Sequence, residues 1–129
     1  MSTTSTDATR ALVVGLGGFF GALTRYGVGL LVARVWTKGF PLATLLINVT
    51  GSLLLGFFST YAAARSGLDA RWRLLIATGF VGAYTTFSTF EYETWALVEG
   101  GAPWRALANV LVSVIAGFAA VWLGVTLAR

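Results

Sequence analysis

The sequence alternates between long apolar stretches and short clusters of charged residues. A bilayer core of about 30 Å needs roughly 20 apolar residues in one helix, and four stretches reach that length. They run from Ala11 to Ala33, Pro41 to Ala64, Leu74 to Val98 and Ala106 to Leu127. Because the connectors are short, successive helices are expected to be antiparallel. The pattern predicts an all-α membrane protein with four transmembrane helices in residues 11–129, after a polar N-terminal tail, residues 1–10.

Composition supports a membrane protein and removes several kinds of chemistry. Hydrophobic residues make up 57% of the 129 positions and charged residues 11%, which is unlike a soluble domain. The chain has no cysteine and no histidine, which excludes disulfides, thiolate nucleophiles and imidazole metal sites. We therefore predict that the protein is not an enzyme and uses no organic cofactor. The net charge of +4 sits at helix ends, where it meets lipid headgroups and not nucleic acid.

The basic residues at the two ends of the predicted spans are almost balanced. Five arginines fall on the side of both termini and three basic residues on the other: Arg10, Arg65, Arg71, Arg73 and Arg129 against Arg34, Lys38 and Arg105. This is a weak bias under the positive-inside rule. One interpretation is a chain that inserts in both orientations and pairs with an inverted copy of itself. A single orientation with a weak signal is equally compatible with the counts.

Two spans carry polar residues on one helical face. Thr44, Asn48 and Ser52 follow at intervals of four in the second span, and Asn109 and Ser113 share that spacing in the fourth. A buried amide in hydrocarbon is costly without partners, so Asn48 is expected to face protein or water. The residues leave two roles open for Asn48, an interhelical hydrogen bond and a position lining a ligand path.

The first span combines close-packing glycines with a charge. Gly17 and Gly21 have the spacing of a helix-contact motif. Arg25 lies just past the middle of the span, where it would cost a few kcal/mol in lipid. A structural role or a place in an aqueous vestibule is favoured over direct ligand contact, since a bidentate guanidinium would hold a small anion tightly.

The third span contains GAYTTFSTF, residues 82 to 90, with five hydroxyls. Glycines before Thr85 and Thr86 mark a place where a helix could unwind, and the threonines could cap the loose ends. An unbroken helix, with its hydroxyls bonded back to their own turns, is also open. Phe87 and Phe90 lie on one face, followed by Glu93. Such rings usually serve packing, but their positive edges could also line an anion path.

Three stretches of the chain form a specific combination: GGFFGALTRY (17–26), PLATLLINVTGSLLLG (41–56) and GAYTTFSTF with the following Glu93. Together they resemble the Fluc family of bacterial fluoride channels. The resemblance covers nearly the whole chain. It implies an antiparallel, dual-topology homodimer in the bacterial plasma membrane, with two fluoride pores, passive fluoride export and one structural sodium ion at the dimer centre. It also favours a third helix broken near the bilayer midplane.

The resemblance also implies roles for individual residues. Asn48 would donate to fluoride and the rings of Phe87 and Phe90 would face it, with Thr44, Thr86 and Ser113 as further polar groups of the pore. The backbone carbonyls of Gly82 and Thr85 would bind sodium. Vestibule or structural roles fall to Arg25, Glu93 and Asn109. Glu91, where relatives often have a small polar residue, is expected to point to solvent or a partner chain.

The alternative function is a small proton-coupled exporter of the multidrug-resistance type. Such a transporter needs a membrane-embedded carboxylate, usually in its first helix. The stretch from Ala11 to Ala33 has neither Asp nor Glu, which disfavours the exporter.

Overall fold

The structure is a computed structural model that describes residues 3–129, and this range is helical without any strand. Six α-helices and one π-helical segment follow in order: α1 Thr3–Val35, α2 Leu42–Ala63, α3 Ala70–Arg73, the π-helix Leu74–Val81, α4 Gly82–Tyr84, α5 Phe87–Glu99 and α6 Pro103–Leu127. Residues 3–10, expected as a polar tail, are the first turns of α1. Met1 and Ser2, the rest of that tail, lie outside the described residues.

Three helices in residues 3–129 are long and apolar enough to cross a membrane by length and composition. They are Thr6–Val35 within α1, Leu42–Ala63 and Pro103–Leu127. The remaining apolar stretch, predicted as the third span, is divided among α3, the π-helix, α4 and α5. The protein is therefore an all-helical, multi-pass membrane protein.

The connectors end the helices by familiar local means. Gly39 and Gly101 have positive φ angles of 69° and 76°, a backbone conformation that glycine adopts without strain. Pro103 occupies the first turn of α6, where its missing N–H costs nothing. Asp69 caps α3, since its carboxylate accepts from the Arg71 N–H at 2.9 Å.

Helix α2 packs mainly on α6, and glycines set the distance between them. A Cβ on Gly124 would overlap the Leu53 carbonyl oxygen and lie 2.7 Å from the Phe57 nitrogen. Such contact of backbone with backbone needs small residues on the facing helix. The pairing brings the polar residues of α2 and α6 to the same side of the bundle.

Helix α1 packs on the π-helix in the same way. A Cβ on Gly17 would overlap the Leu75 carbonyl oxygen, and one on Gly21 would overlap that of Phe80. The two glycines predicted as a close-packing motif therefore receive the π-helix. On the outer faces of the chain, most large apolar side chains are exposed, as expected for helices that meet lipid or a second protein surface.

Candidate functional site

The helical path is interrupted at Thr85 and Thr86. Their φ and ψ angles are −76° and 157° for Thr85 and −150° and 114° for Thr86, which is extended backbone. The Thr85 hydroxyl donates to the Val81 carbonyl at 2.9 Å and stabilises the end of α4. The Thr86 hydroxyl oxygen accepts from the Thr89 N–H at 3.3 Å and caps the start of α5. The Thr86 hydroxyl thus satisfies one N–H group at the start of α5, whereas the Val81 carbonyl accepts from both the N–H and the hydroxyl of Thr85.

Asn48 holds the interruption from the neighbouring helix. Its Nδ2 donates to the Thr86 carbonyl at 3.0 Å, and its Oδ1 accepts from the Thr86 N–H at 2.8 Å. In a continuous helix that N–H would bond the carbonyl of Gly82. An amide has two N–H donors, so one donor of Asn48 is not used by Thr86. Both roles that the sequence left open for Asn48 are therefore compatible with its position.

A cleft of about 280 Å³ opens beside the interruption. It collects polar residues from α2, from the interruption and from α6, together with two aromatic rings of α5. The lining residues are Asn48, Gly51, Ser52, Leu55, Val81, Thr85, Thr86, Phe87, Phe90, Ser113 and Val114. None of these described lining residues is charged. The cleft therefore offers neutral hydrogen-bonding groups in apolar surroundings.

The two phenylalanines form one wall of the cleft. Their ring centroids are 5.8 Å apart, with the ring planes tilted by 38°. Phe90 is half-buried, whereas 70% of Phe87 is exposed. In the single chain this wall is thus open at Phe87.

Thr44, predicted as a polar residue of the pore, and Glu93, predicted in a vestibule or structural role, do not line the cleft. Thr44 is buried and lies beside the side chain of Glu93. Glu93 lines a separate cavity of about 300 Å³ beside the connector residues Gly39 to Pro41. Its Oε2 atom is buried without a hydrogen-bond partner in the part of the chain that the structure describes. Thr44 and Asn48 share a face of α2 and are one helical turn apart. Asn48 lines the cleft, whereas Thr44 lies beside Glu93.

Asn109 lies behind the cleft wall, between α5 and α6. It is almost fully buried, with 1% exposed. Its Nδ2 donates to the Thr94 hydroxyl at 2.8 Å, and that hydroxyl donates to the Phe90 carbonyl at 2.7 Å. Ser113 bonds the Asn109 Oδ1 atom at 3.4 Å. Asn109 thus connects two residues of the cleft, Phe90 and Ser113.

Arg25 and Glu91 are not among the described residues that line the cleft. Arg25 is half-buried on α1, and among residues 3–129 no ion pair involves it. Glu91 is exposed on α5. Its exposure agrees with a position facing solvent or a partner chain.

The atoms predicted to bind sodium are the backbone carbonyls of Gly82 and Thr85. Gly82 is exposed and Thr85 adjoins the cleft, and both lie where the helical hydrogen-bond ladder stops. The Thr86 N–H that a helix would direct to the Gly82 carbonyl goes to Asn48. Such carbonyls are hard oxygen donors, which suit an alkali cation. No group of three or more acidic, histidine or cysteine side chains occurs in the described range, so the fit rests on backbone oxygens.

Sequence reasoning missed partners that only folding brings together. Thr94 accepts a hydrogen bond from Asn109, and the sequence analysis did not identify it as a site residue. Thr50 bonds the buried Tyr84 hydroxyl at 2.8 Å. Their signal in the sequence was a hydroxyl in the middle of a span, which also occurs when threonine only bonds its own helix.

Multi-pass helices with a small polar cleft between them define the class of compact integral-membrane proteins. The family follows from comparison: residues 12–125 match the profile described as "CrcB-like protein, Camphor Resistance (CrcB)", and the chain belongs to this family. Relatives named fluoride-specific ion channel FluC identify the family as one of ion channels and not of enzymes. The match confirms the resemblance seen in the sequence.

Similar proteins cover almost the full length of the chain. A protein of Solibacter usitatus named fluoride-specific ion channel FluC is 45% identical over 118 residues, which are 92% of this chain and 97% of the relative. FluC 2 of Symbiobacterium thermophilum is 46% identical over 115 residues, 89% of this chain and 94% of the relative. FluC of Methanocaldococcus jannaschii is 43% identical over 117 residues, 91% of this chain and 92% of the relative.

Proposed function

We propose that the protein is a fluoride-selective channel that lets fluoride leave the cell passively across the plasma membrane. The observation that carries the proposal is the cleft, where Asn48, Ser52 and Ser113 meet the rings of Phe87 and Phe90 and none of the described lining residues is charged. Relatives over nearly the full length of the chain are named fluoride-specific channels, which supports the same ion.

Fluoride is small and strongly hydrated, so a path for it must replace water with compact hydrogen-bond donors. The second N–H of Asn48 and the Ser52 hydroxyl supply such donors, and the Ser113 hydroxyl adds another when its proton turns from Asn109 to the cleft. The positive edges of the phenylalanine rings attract an anion weakly. A sequence of weak sites favours passage, because an ion that binds too firmly does not leave. A cationic side chain in the cleft would hold fluoride and admit other anions.

The working unit in this proposal is an antiparallel homodimer with two pores. In one chain the cleft is open at Phe87, and Gly82, Ser88, Thr89 and Glu91 are exposed on the surface. Polar groups at this depth are costly in lipid, so a protein surface is the better environment. A second, inverted copy would provide it, and the near balance of basic residues at the two ends permits both orientations.

In this proposal the interruption at Thr85 and Thr86 lies near the bilayer midplane. Residues 70–99 then cross the membrane as the predicted third span, in addition to the three long helices. Non-helical backbone is tolerated at that depth only when it is buried in protein or lines a cavity. Here Thr86 is buried against Asn48, and Thr85 lines the cleft. Both residues meet this condition.

A structural sodium ion at the dimer centre completes the proposal. The carbonyls of Gly82 and Thr85 would hold it, and two copies of the chain would double the number of oxygen ligands. When bound, the ion supplies a fixed positive charge that compensates carbonyl dipoles. It would remain in place while fluoride passes.

The decisive experiment is ion efflux from proteoliposomes loaded with either fluoride or chloride and read with ion electrodes. We expect rapid fluoride efflux, negligible chloride efflux and no need for a proton gradient. Empty liposomes and protein carrying Asn48→Asp are the controls. Fluoride movement that requires a proton gradient would contradict a channel and favour the proton-coupled exporter. Such an exporter needs a carboxylate in the membrane, and none is among the described residues that line the cleft.

A further inference from the structure

The hydrogen bonds behind the cleft wall have a direction that the atoms alone determine. The Phe90 carbonyl can only accept, so the Thr94 hydroxyl, 2.7 Å away, spends its single proton there. Thr94 must then accept from Asn109, at 2.8 Å. This fixes the Asn109 amide with its nitrogen toward Thr94 and its oxygen toward Ser113.

The direction of the Ser113 hydrogen bond follows in the same way. Asn109 Oδ1 can only accept, so Ser113 donates its one proton to it, at 3.4 Å. Ser113 also lines the cleft. In this arrangement its lone pairs, and not its proton, face the cleft, which is the wrong orientation for an anion. The bond is longer than the usual O–H···O range, so it holds the proton weakly.

We infer that Asn109 is a positioning residue that regulates whether Ser113 serves the cleft as a donor. This inference rests on the proposed function, since it concerns an anion passing Ser113. Fluoride must draw the Ser113 proton away from Asn109 before the hydroxyl can bind it. Thr94 takes part indirectly, because its commitment to the Phe90 carbonyl is what orients the Asn109 amide.

Two substitutions release the Ser113 proton by different routes. Asn109→Val removes the acceptor. Thr94→Val keeps Asn109 but removes the group that orients it, so the amide can turn its N–H toward Ser113 and leave the serine proton free. Each is expected to raise fluoride efflux about two- to threefold, the factor that corresponds to a weak neutral hydrogen bond. Thr94→Ser keeps the hydroxyl and is expected to behave like the wild-type protein.

The test is fluoride efflux from proteoliposomes for both valine variants, each with and without Ser113→Ala. The expected result is an increase that disappears in the Ser113→Ala background, as a double-mutant cycle would detect. Lower efflux in both valine variants, or an equal change with and without Ser113, would show that Asn109 only holds α5 and α6 together and would overturn the inference. A wild-type protein without fluoride efflux would instead remove the proposed function, and the inference with it.

Discussion

Asn48 and Thr86 satisfy each other in both directions, with 3.0 Å from the Asn48 Nδ2 to the Thr86 carbonyl and 2.8 Å from the Thr86 N–H to the Asn48 Oδ1. One side chain of α2 thus replaces the backbone bond that the Thr86 N–H loses by leaving the helix, and it adds a donor to the Thr86 carbonyl. Asn48 therefore has a structural duty in addition to its proposed contact with the ion.

This double duty predicts the outcome of Asn48→Asp. A carboxylate cannot donate to the Thr86 carbonyl and would place two acceptors side by side, at a cost of about 1–3 kcal/mol in the free energy of unfolding. We expect fluoride efflux to be lost, with the dimer still assembled, as measured by ion electrodes and size-exclusion chromatography. Ser59→Ala is the control, because Ser59 is exposed on the same helix and is not among the residues that line the cleft. Normal efflux in Asn48→Asp would remove Asn48 from the ion path.

Phe87 is 70% exposed in the single chain. A substitution there is therefore expected to change the contact of its ring with the ion while leaving the fold almost unchanged. Phe87→Leu keeps apolar volume but removes the ring edge. We expect fluoride efflux to fall about three- to tenfold, in line with the roughly 0.5–1.5 kcal/mol of ring-quadrupole contacts. Phe118→Leu is the control, since Phe118 is 77% exposed on α6 and lies outside the cleft lining. Equal effects of the two substitutions would contradict a role for the Phe87 ring.

The contact between α2 and α6 depends on Gly124. In Gly124→Ala the new methyl group would meet the backbone of Leu53 and Phe57, and backbone cannot yield as a side chain can. We expect a loss of about 1–3 kcal/mol in stability, read as a lower unfolding temperature in detergent. Gly15→Ala on α1 meets nothing within 4 Å and should gain about 0.5–1 kcal/mol from better helix propensity. A stable Gly124→Ala variant would show that the helices are not held at this distance.

The proposed sodium site predicts a dependence on the cation that does not require a flux measurement. A ligand that binds only the folded dimer stabilises it by mass action. Replacing sodium with N-methyl-D-glucamine in detergent should therefore lower the unfolding temperature and the dimer fraction, and returning sodium should restore both. Identical unfolding in the two buffers would contradict a structural sodium ion.

Much of the architecture followed from periodicity and length. The apolar stretches fall within helices, and the ends lie within a few residues of the expected positions, except that α1 continues into the polar residues before Ala11. These additional turns of α1 form because residues 6–10, TDATR, contain no glycine or proline that would break a helix. Polar side chains alone do not end a helix. For the third stretch, the residues left a continuous and an interrupted helix open, and the backbone at Thr85 and Thr86 is extended.

The sequence by itself determined which residues share a face of α2 and of α6, because the period of an α-helix is constant. It could not determine how each helix is rotated and shifted against its neighbours. That depends on backbone contacts such as Gly124 with Leu53, which pair residues far apart in the chain. Tertiary packing alone therefore decided that Asn48 meets Thr86, that Thr44 meets Glu93 and that Asn109 lies behind the cleft on Thr94.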